Sequence, residues 1–131
     1  MIVDASALIT VVLEESGFER YLETLLQSPA NRTSAATFLE VAIVVDRLPN
    51  PRASIRFDEL VSNLGIIVEP VTAHQATVAR DAHRRFGRGS GHPAKLNFGD
   101  CFAYALAREL DEPLLFVGQD FIHTDVCRVL D

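Results

Sequence analysis

Short apolar runs alternate with longer helical segments along this 131-residue chain, and that alternation constrains the fold most strongly. The run Leu114 to Val117 has no polar residue and stops at Gly118, as expected of a strand buried on both faces of a sheet. Four further segments have strand character, namely Met1 to Val3, Asn31 to Ala35, Ile66 to Glu69 and Val126 to Leu130. We therefore predict an α/β fold with a mostly parallel central sheet and helices on both faces.

The intervening helices carry start signals. Ser16-Gly17-Phe18-Glu19 and Thr72-Ala73-His74-Gln75 have the form of capping boxes, in which side chains satisfy the first free backbone N–H groups. Asn97 is placed to cap a helix from Phe98 to Leu110. Because no linker or internal repeat divides the chain, we expect residues 1–131 to form one domain.

The composition argues against several classes of protein. Cys101 and Cys127 lie far apart with no CxxC spacing, so neither a zinc site nor a disulfide is expected. The longest apolar run near the N-terminus is too short to span a bilayer, and no basic segment precedes it; we expect a soluble, cytoplasmic protein without membrane contact. The net charge of −6 argues against a general nucleic-acid coat protein but not against a nuclease, whose metal site is itself acidic.

Four acidic residues stand out by their positions, namely Asp4, Glu40, Asp100 and Asp120. Asp4 ends the first strand and Asp120 follows the last buried strand, whereas Glu40 and Asp100 lie in the first turns of helices. Strand carboxyl ends and helix amino ends share one edge of a parallel α/β sheet. The four carboxylates are therefore expected to meet there.

Each of these acids also has a purely structural interpretation. Asp4 would be a simple helix cap, and Asp100, at the third helical position, would favour the helix dipole and the exposed N–H groups. Glu40 would complete a capping box begun by Thr37. Asp120 would be an ordinary turn aspartate.

The metal-binding interpretation explains all four acids together. Glu40 is the only charge between Phe38 and Val45, in a helix whose apolar faces predict a position in the core or in a subunit interface. An unpaired buried carboxylate costs several kcal/mol, a penalty that a divalent cation removes. Clustered carboxylates suit Mg²⁺ or Mn²⁺, and the chemistry that such sites most often serve is phosphoryl transfer.

Four motifs occur in a characteristic order, namely Met1-Ile2-Val3-Asp4-Ala5-Ser6-Ala7, Ser34-Ala35-Ala36-Thr37-Phe38-Leu39-Glu40, Leu96-Asn97-Phe98-Gly99-Asp100-Cys101 and Leu115-Phe116-Val117-Gly118-Gln119-Asp120-Phe121. With these motifs the whole chain resembles the PIN-domain ribonucleases and, more narrowly, the VapC-type toxins of bacterial toxin–antitoxin pairs. The resemblance implies a three-layer α/β/α PIN fold.

The resemblance also implies roles for individual residues. Asp4, Glu40 and Asp100 match the three acids that bind Mg²⁺ or Mn²⁺, Asp120 falls on a fourth and less regular acid, and Ser6 would help to order the site. Members of the family cleave RNA, often tRNA or rRNA, with a metal-activated water. They are typically homodimers and are inhibited by a cognate VapB-type antitoxin.

Two positions near the fourth acid carry further expectations. Many relatives have an asparagine immediately before that acid, whereas this chain has Gln119; the longer amide is expected to matter little while Asp120 is intact. Thr124 follows closely and is expected either to support the site through a hydrogen bond or to cap local structure.

Five of the twelve lysines and arginines fall between Arg80 and Lys95. Four of them are RNA-binding candidates, namely Arg84, Arg85, Arg88 and Lys95, because arginine forks and lysine ammonium groups suit phosphate oxygens. The alternative is a solvated helix face and loop. Glycines in that loop would allow it to move over a substrate, and we interpret His83 and His92 as surface residues.

The sequence thus predicts a metal-dependent endoribonuclease toxin, and two alternatives remain. One is a catalytically inactive PIN-like module that only binds a partner; the presence of all four acids argues against it. The other is an aspartate-based phosphotransferase with Asp4 as nucleophile, which usually requires a second aspartate where this chain has Ser6.

Overall fold

The computed structural model describes all residues 1–131 and contains four strands and six helices, with two helices between each strand and the next. The strands are β1 (Ile2–Val3), β2 (Arg32–Ser34), β3 (Ile67–Glu69) and β4 (Leu114–Leu115). The helices are α1 (Ala5–Val12), α2 (Phe18–Gln27), α3 (Ala35–Asp46), α4 (Arg52–Asn63), α5 (Ala73–Phe86) and α6 (Phe98–Leu110).

The four strands form one sheet in the order β3-β2-β1-β4, and every neighbouring pair is parallel. Ile2 pairs with Arg32 on one side and with Leu114 on the other, so β1 is an interior strand. The predicted parallel sheet is confirmed. Its topology brings the carboxyl ends of all four strands to a single edge.

Successive residues of the strands feed two separate cores, because side chains alternate between the faces of a sheet. Ile2 and Leu114 belong to the core formed with α5 and α6, whereas Val3 and Leu115 belong to the core formed with α1 to α4. Both faces of the sheet are therefore covered by helices. This arrangement confirms the predicted three-layer α/β/α architecture, and none of the helices is long and apolar enough to cross a membrane.

The strands are shorter than the apolar runs that predicted them. β4 ends at Leu115 although the apolar run extends to Val117, because the Val117 N–H donates to the Ser6 hydroxyl instead of to a neighbouring strand. The predicted edge strand from Val126 to Leu130 is reduced to a single bridge between Leu114 and Arg128. The sheet therefore ends close to the first acid.

The helix starts agree with the sequence signals in two cases out of three. Asn97 forms the full capping box, whereas Thr72 accepts a bond from the Gln75 N–H at 3.1 Å without the reciprocal bond. The box predicted at Ser16 is wrong: Gly17, at φ 81°, is the N-cap of α2 and supplies no side-chain bond. A left-handed residue in that position suits glycine.

Candidate active site

Asp4 lies between β1 and α1, as the N-cap of that helix, and only 4% of its surface is exposed. Its Oδ2 accepts hydrogen bonds from the Ser6 N–H at 3.0 Å and from the Ser6 hydroxyl at 2.6 Å. The Ser6 Oγ in turn accepts a bond from the Val117 N–H at 3.0 Å. Ser6 thereby links the first acid to the segment that follows β4, the arrangement needed if Ser6 orders the site.

Asp100 lies in the first turn of α6 and is 8% exposed. Its Oδ2 accepts from the Asn97 N–H at 2.9 Å, and the Asn97 Oδ1 accepts from the Asp100 N–H at 2.9 Å. The structural interpretation of Asp100 as a capping acid is thus correct. It does not exclude a second role, because only one of the two carboxylate oxygens takes part in the cap.

Glu40 lies in the second turn of α3, which begins after the N-cap Ser34. Thr37 is inside the helix, so the alternative capping box of Thr37 and Glu40 is wrong. Of the two positions predicted for this helix, the core is ruled out for its outer face, since Leu39 is 57% and Ile43 43% exposed and Glu40 itself is exposed, whereas the single chain does not test the subunit interface. Apolar side chains can remain on a protein surface, so composition alone did not fix the burial of α3.

Gly99 brings Glu40 to the start of α6, next to Asp100. A Cβ at Gly99 would come within 2.5 Å of the Glu40 Oε2, so only glycine leaves room for the carboxylate in its present position. The sequence reasoning missed this residue. Its signal was a glycine in the first turn of a helix, where it costs about 1 kcal/mol relative to alanine without a local benefit.

Asp120 lies in an exposed turn that follows Gly118, whose φ of 99° suits glycine. The turn interpretation of Asp120 therefore describes its local structure, and the Asp120 carboxylate makes no side-chain hydrogen bond. It nevertheless lies within electrostatic reach of Asp4 and Asp100. The bonds of Thr124 stay within its own turn, since its hydroxyl donates to the Phe121 carbonyl at 2.7 Å and accepts from the Val126 N–H at 3.5 Å.

Desolvation and mutual repulsion disfavour the ionised forms of Asp4, Glu40 and Asp100. Desolvation raises the pKa of Asp4 despite the bonds from Ser6, and it raises the pKa of Glu40, with the charge of Asp4 adding to the effect. The pKa of Asp100 rises to about 7, mainly through desolvation and further through the other three acids, against the lowering effect of the Asn97 N–H. None of the four acids forms an ion pair with a lysine or arginine.

The donor set fits a hard divalent cation. All four groups are carboxylates, and a cation would stabilise the ionised forms of Asp4, Glu40 and Asp100, which desolvation and repulsion disfavour. In the present arrangement, however, no three of the side chains converge on one metal position. Because the Glu40 and Asp120 carboxylates make no side-chain hydrogen bond, these two can change rotamer without breaking one.

The RNA-binding candidates between Arg80 and Lys95 differ in whether they form ion pairs. Arg85 is 3.4 Å from carboxylate oxygens of both Asp81 and Asp125, and its guanidinium lies 4.6 Å from the centre of the Phe86 ring. Asp125 also accepts a 2.7 Å bond from the buried Tyr104 hydroxyl. Three further basic residues, Arg84, Arg88 and Lys95, are exposed and form no ion pair.

Comparisons with known proteins show which family the chain belongs to. The PIN domain family matches residues 1–126. Ribonuclease VapC28 of Mycobacterium tuberculosis is 50% identical over 131 residues, which are 100% of this chain and 98% of the relative.

Two solved structures share the fold at low sequence identity. VapC20 of Mycobacterium tuberculosis, described as a sarcin-ricin loop cleaving toxin, has a TM-score of 0.73 at 19% identity and covers 98% of this chain and 97% of its own. VapBC2 of Rickettsia felis, solved with a DNA fragment from its promoter, has a TM-score of 0.76 at 10% identity, with coverages of 97% and 94%. With the family match and the full-length relatives, the chain belongs to the PIN-domain family and, within it, to the VapC ribonucleases.

Proposed function

We propose that this edge of the sheet hydrolyses phosphodiester bonds of RNA with the help of Mg²⁺ or Mn²⁺. The observation that carries the proposal is the placement of four carboxylates at one edge, two of them buried and none paired with a basic side chain. A site of this kind holds a divalent cation, which, when bound, orients a phosphate and lowers the pKa of a water molecule.

The four acids contribute differently. Asp4 and Asp100 supply buried oxygens whose positions are fixed by Ser6 and Asn97. Glu40 and Asp120 supply carboxylates that are not held by side-chain hydrogen bonds and that would complete the ligand set of a cation. Ser6 is a positioning residue, because it acts through Asp4 and not on the substrate.

The RNA strand is held outside the carboxylates by basic side chains. Arg84, Arg88 and Lys95 are unpaired and suited to phosphate contacts. Arg85 was an equal candidate in the sequence, but its bonds to Asp81 and Asp125 make its contribution to RNA binding smaller than that of the other three. Thr124 supports the turn that carries Asp120.

The partner of the toxin is a VapB-type antitoxin, as in the VapBC2 complex to which the fold is similar. The exposed apolar residues of α3 are available to a second copy of the chain in a homodimer. We propose that residues 1–131 act as one domain, and that the protein works in the cytoplasm, where tRNA and rRNA are its candidate substrates.

Two assays test the proposal. The purified chain is incubated with total RNA in the presence of Mg²⁺, Mn²⁺ or EDTA, and new 5′-phosphate ends are mapped. In cells, the same ends are mapped after brief induction of the wild type and of Asp4→Asn. Metal-dependent ends that the Asp4→Asn chain does not produce are expected.

Cuts that are identical in the Asp4→Asn chain would reject the site assignment. A wild type that neither cuts RNA nor binds Mn²⁺ would instead identify an inactive PIN-like module. Labelling of Asp4 by acetyl phosphate would favour the phosphotransferase alternative.

A further inference from the structure

The loop between α5 and α6 forms an open pocket of about 570 Å³ whose lining contains no apolar or acidic side chain. Its walls are Arg88, Gly89, Gly91, His92 and Lys95. Arg88 and Lys95 take part in no ion pair, so their charges are not neutralised by the protein. A pocket of this composition attracts an anion.

The loop is held in its conformation by a chain of internal hydrogen bonds. At its base, the Arg88 N–H donates to the Leu96 carbonyl and the Leu96 N–H to the Phe86 carbonyl, each at 2.9 Å. Ser90 closes the middle, since its hydroxyl donates to the Gly87 carbonyl at 2.6 Å. The backbone of the pocket is therefore held by bonds within the loop itself.

His92 is oriented in this pocket by two contacts. Its Nδ1 accepts a hydrogen bond from the Ala94 N–H at 3.1 Å, and its ring packs edge-on against Phe86 at a centroid distance of 4.9 Å. Because Nδ1 accepts, the proton of the neutral ring is on Nε2. His92 thus offers an N–H donor in either protonation state, beside one guanidinium and one ammonium group.

The backbone places the pocket close to the proposed catalytic edge. Lys95 is two residues before Asn97, the cap of α6, and five residues before Asp100. Five residues span at most about 18 Å, so one extended nucleic-acid strand can reach both places. The pocket is therefore within reach of a strand that is bound at the carboxylates.

We infer that this pocket binds a backbone phosphate of the RNA strand other than the one that is cleaved. The inference rests on the proposed ribonuclease function, and it assigns to His92 a part in substrate binding. Arg88 and Lys95 supply the charge and His92 supplies a fixed donor, which together suit a tetrahedral phosphate oxygen set.

The test measures RNA binding without catalysis. A fluorescent single-stranded RNA is titrated in EDTA, at a series of salt concentrations, against the wild type and a triple variant of Arg88→Gln, His92→Asn and Lys95→Asn. Asparagine at 92 can keep an acceptor for the Ala94 N–H, and asparagine tolerates the φ of 54° at Lys95. Arg47→Gln is the control, because Arg47 is exposed, unpaired and at the far end of α3.

The plot of log K against log salt has a negative slope, and loss of one phosphate contact should reduce its magnitude by about 0.7. Over a tenfold range of salt, the advantage of the wild type then shrinks by about 5-fold, whereas Arg47→Gln leaves the slope unchanged. An unchanged slope in the folded triple variant would overturn the inference.

If the triple variant fails to unfold cooperatively, the single variants Arg88→Gln and Lys95→Asn replace it. The ¹⁵N resonances of His92 in the wild type are followed during the same titration, and no shift at saturating RNA would also overturn the inference. Because none of these measurements needs cleavage, absence of RNA cutting by the wild type would reject the proposed function separately.

Discussion

Asp4 and Asp100, which we name the fixed pair, differ in burial and hydrogen bonding from Glu40 and Asp120, the free pair. The fixed pair is less than 10% exposed and each member accepts bonds at a helix start, whereas the free pair is exposed and its carboxylates make no side-chain hydrogen bond. Helix capping thus fixes two of the four carboxylates that we propose as metal ligands. The free pair would be able to adjust its side chains to an ion.

The largest effect is expected from removing a charge of the fixed pair. Asp100→Asn keeps an acceptor for the Asn97 N–H but should lower RNA cleavage by ~10³-fold or more, since a bound metal contributes several kcal/mol to the transition state. The metal-free variant should also be more stable than the wild type at pH 7.5, because an unpaired buried charge is gone. Cleavage rates and thermal unfolding are measured on one preparation; near-wild-type cleavage would contradict the assignment.

Substitutions in the free pair should reduce cleavage less than Asp100→Asn does and should leave the free energy of unfolding nearly unchanged. Glu40→Gln and Asp120→Asn are each expected to slow cleavage by ~10- to 100-fold and to raise the metal concentration needed for half-maximal rate. Because both residues are exposed, the free energy of unfolding should change by no more than about 0.5 kcal/mol. A metal-free stability gain as large as that of Asp100→Asn would remove the distinction between the pairs.

A smaller effect is expected from Gly99→Ala, which leaves all four acids in place. The new Cβ would displace the end of the flexible Glu40 side chain, so cleavage should fall by roughly 10-fold while the metal-free protein stays folded. Alanine favours the helix by about 1 kcal/mol, which should offset the cost of the displacement. The double variant Gly99→Ala with Glu40→Gln is the control, since the glycine change should add little once the Glu40 charge is lost.

The fold could be predicted because alternating strands and helices leave few arrangements, and β1 with β4 supplies the expected parallel pair. Strand lengths could not, since the end of β4 depends on a bond between Val117 and Ser6 that is distant in sequence. The motifs identified the four acids, and the structure gathers them at one sheet edge, while their roles as metal ligands remain a prediction.

Burial within the site was less accessible to sequence reasoning. The apolar residues around Glu40 predicted a position in the core or in a subunit interface, and could not decide between them; in the single chain α3 exposes that side of its surface. Gly99 was missed because its importance depends on a side chain from a different helix. Arg85 looked equivalent to Arg84 and Arg88, and only the folded chain brings Asp125 against it.

The central claim is that the ionised carboxylates of the fixed pair destabilise the folded protein until a cation binds. Thermal unfolding of the metal-free protein, measured as a function of pH, tests this claim most directly. The pKa of Asp100 is about 7 in the folded protein and near 3.8 when unfolded, so the folded state binds its proton more tightly. Its contribution to stability is fully present below about pH 4 and is lost as the pH rises through about 7.

We predict that in EDTA the Tm falls by roughly 5 °C or more between pH 5 and pH 8. Saturating Mn²⁺ should restore the Tm at pH 8, because binding to the folded state alone stabilises that state. At pH 5 it should not raise the Tm, because Asp100 is then protonated and does not bind the ion. Asp100→Asn should flatten the dependence on both pH and metal. A wild-type Tm that does not change between pH 5 and pH 8, and that Mn²⁺ does not raise at pH 8, would contradict the account.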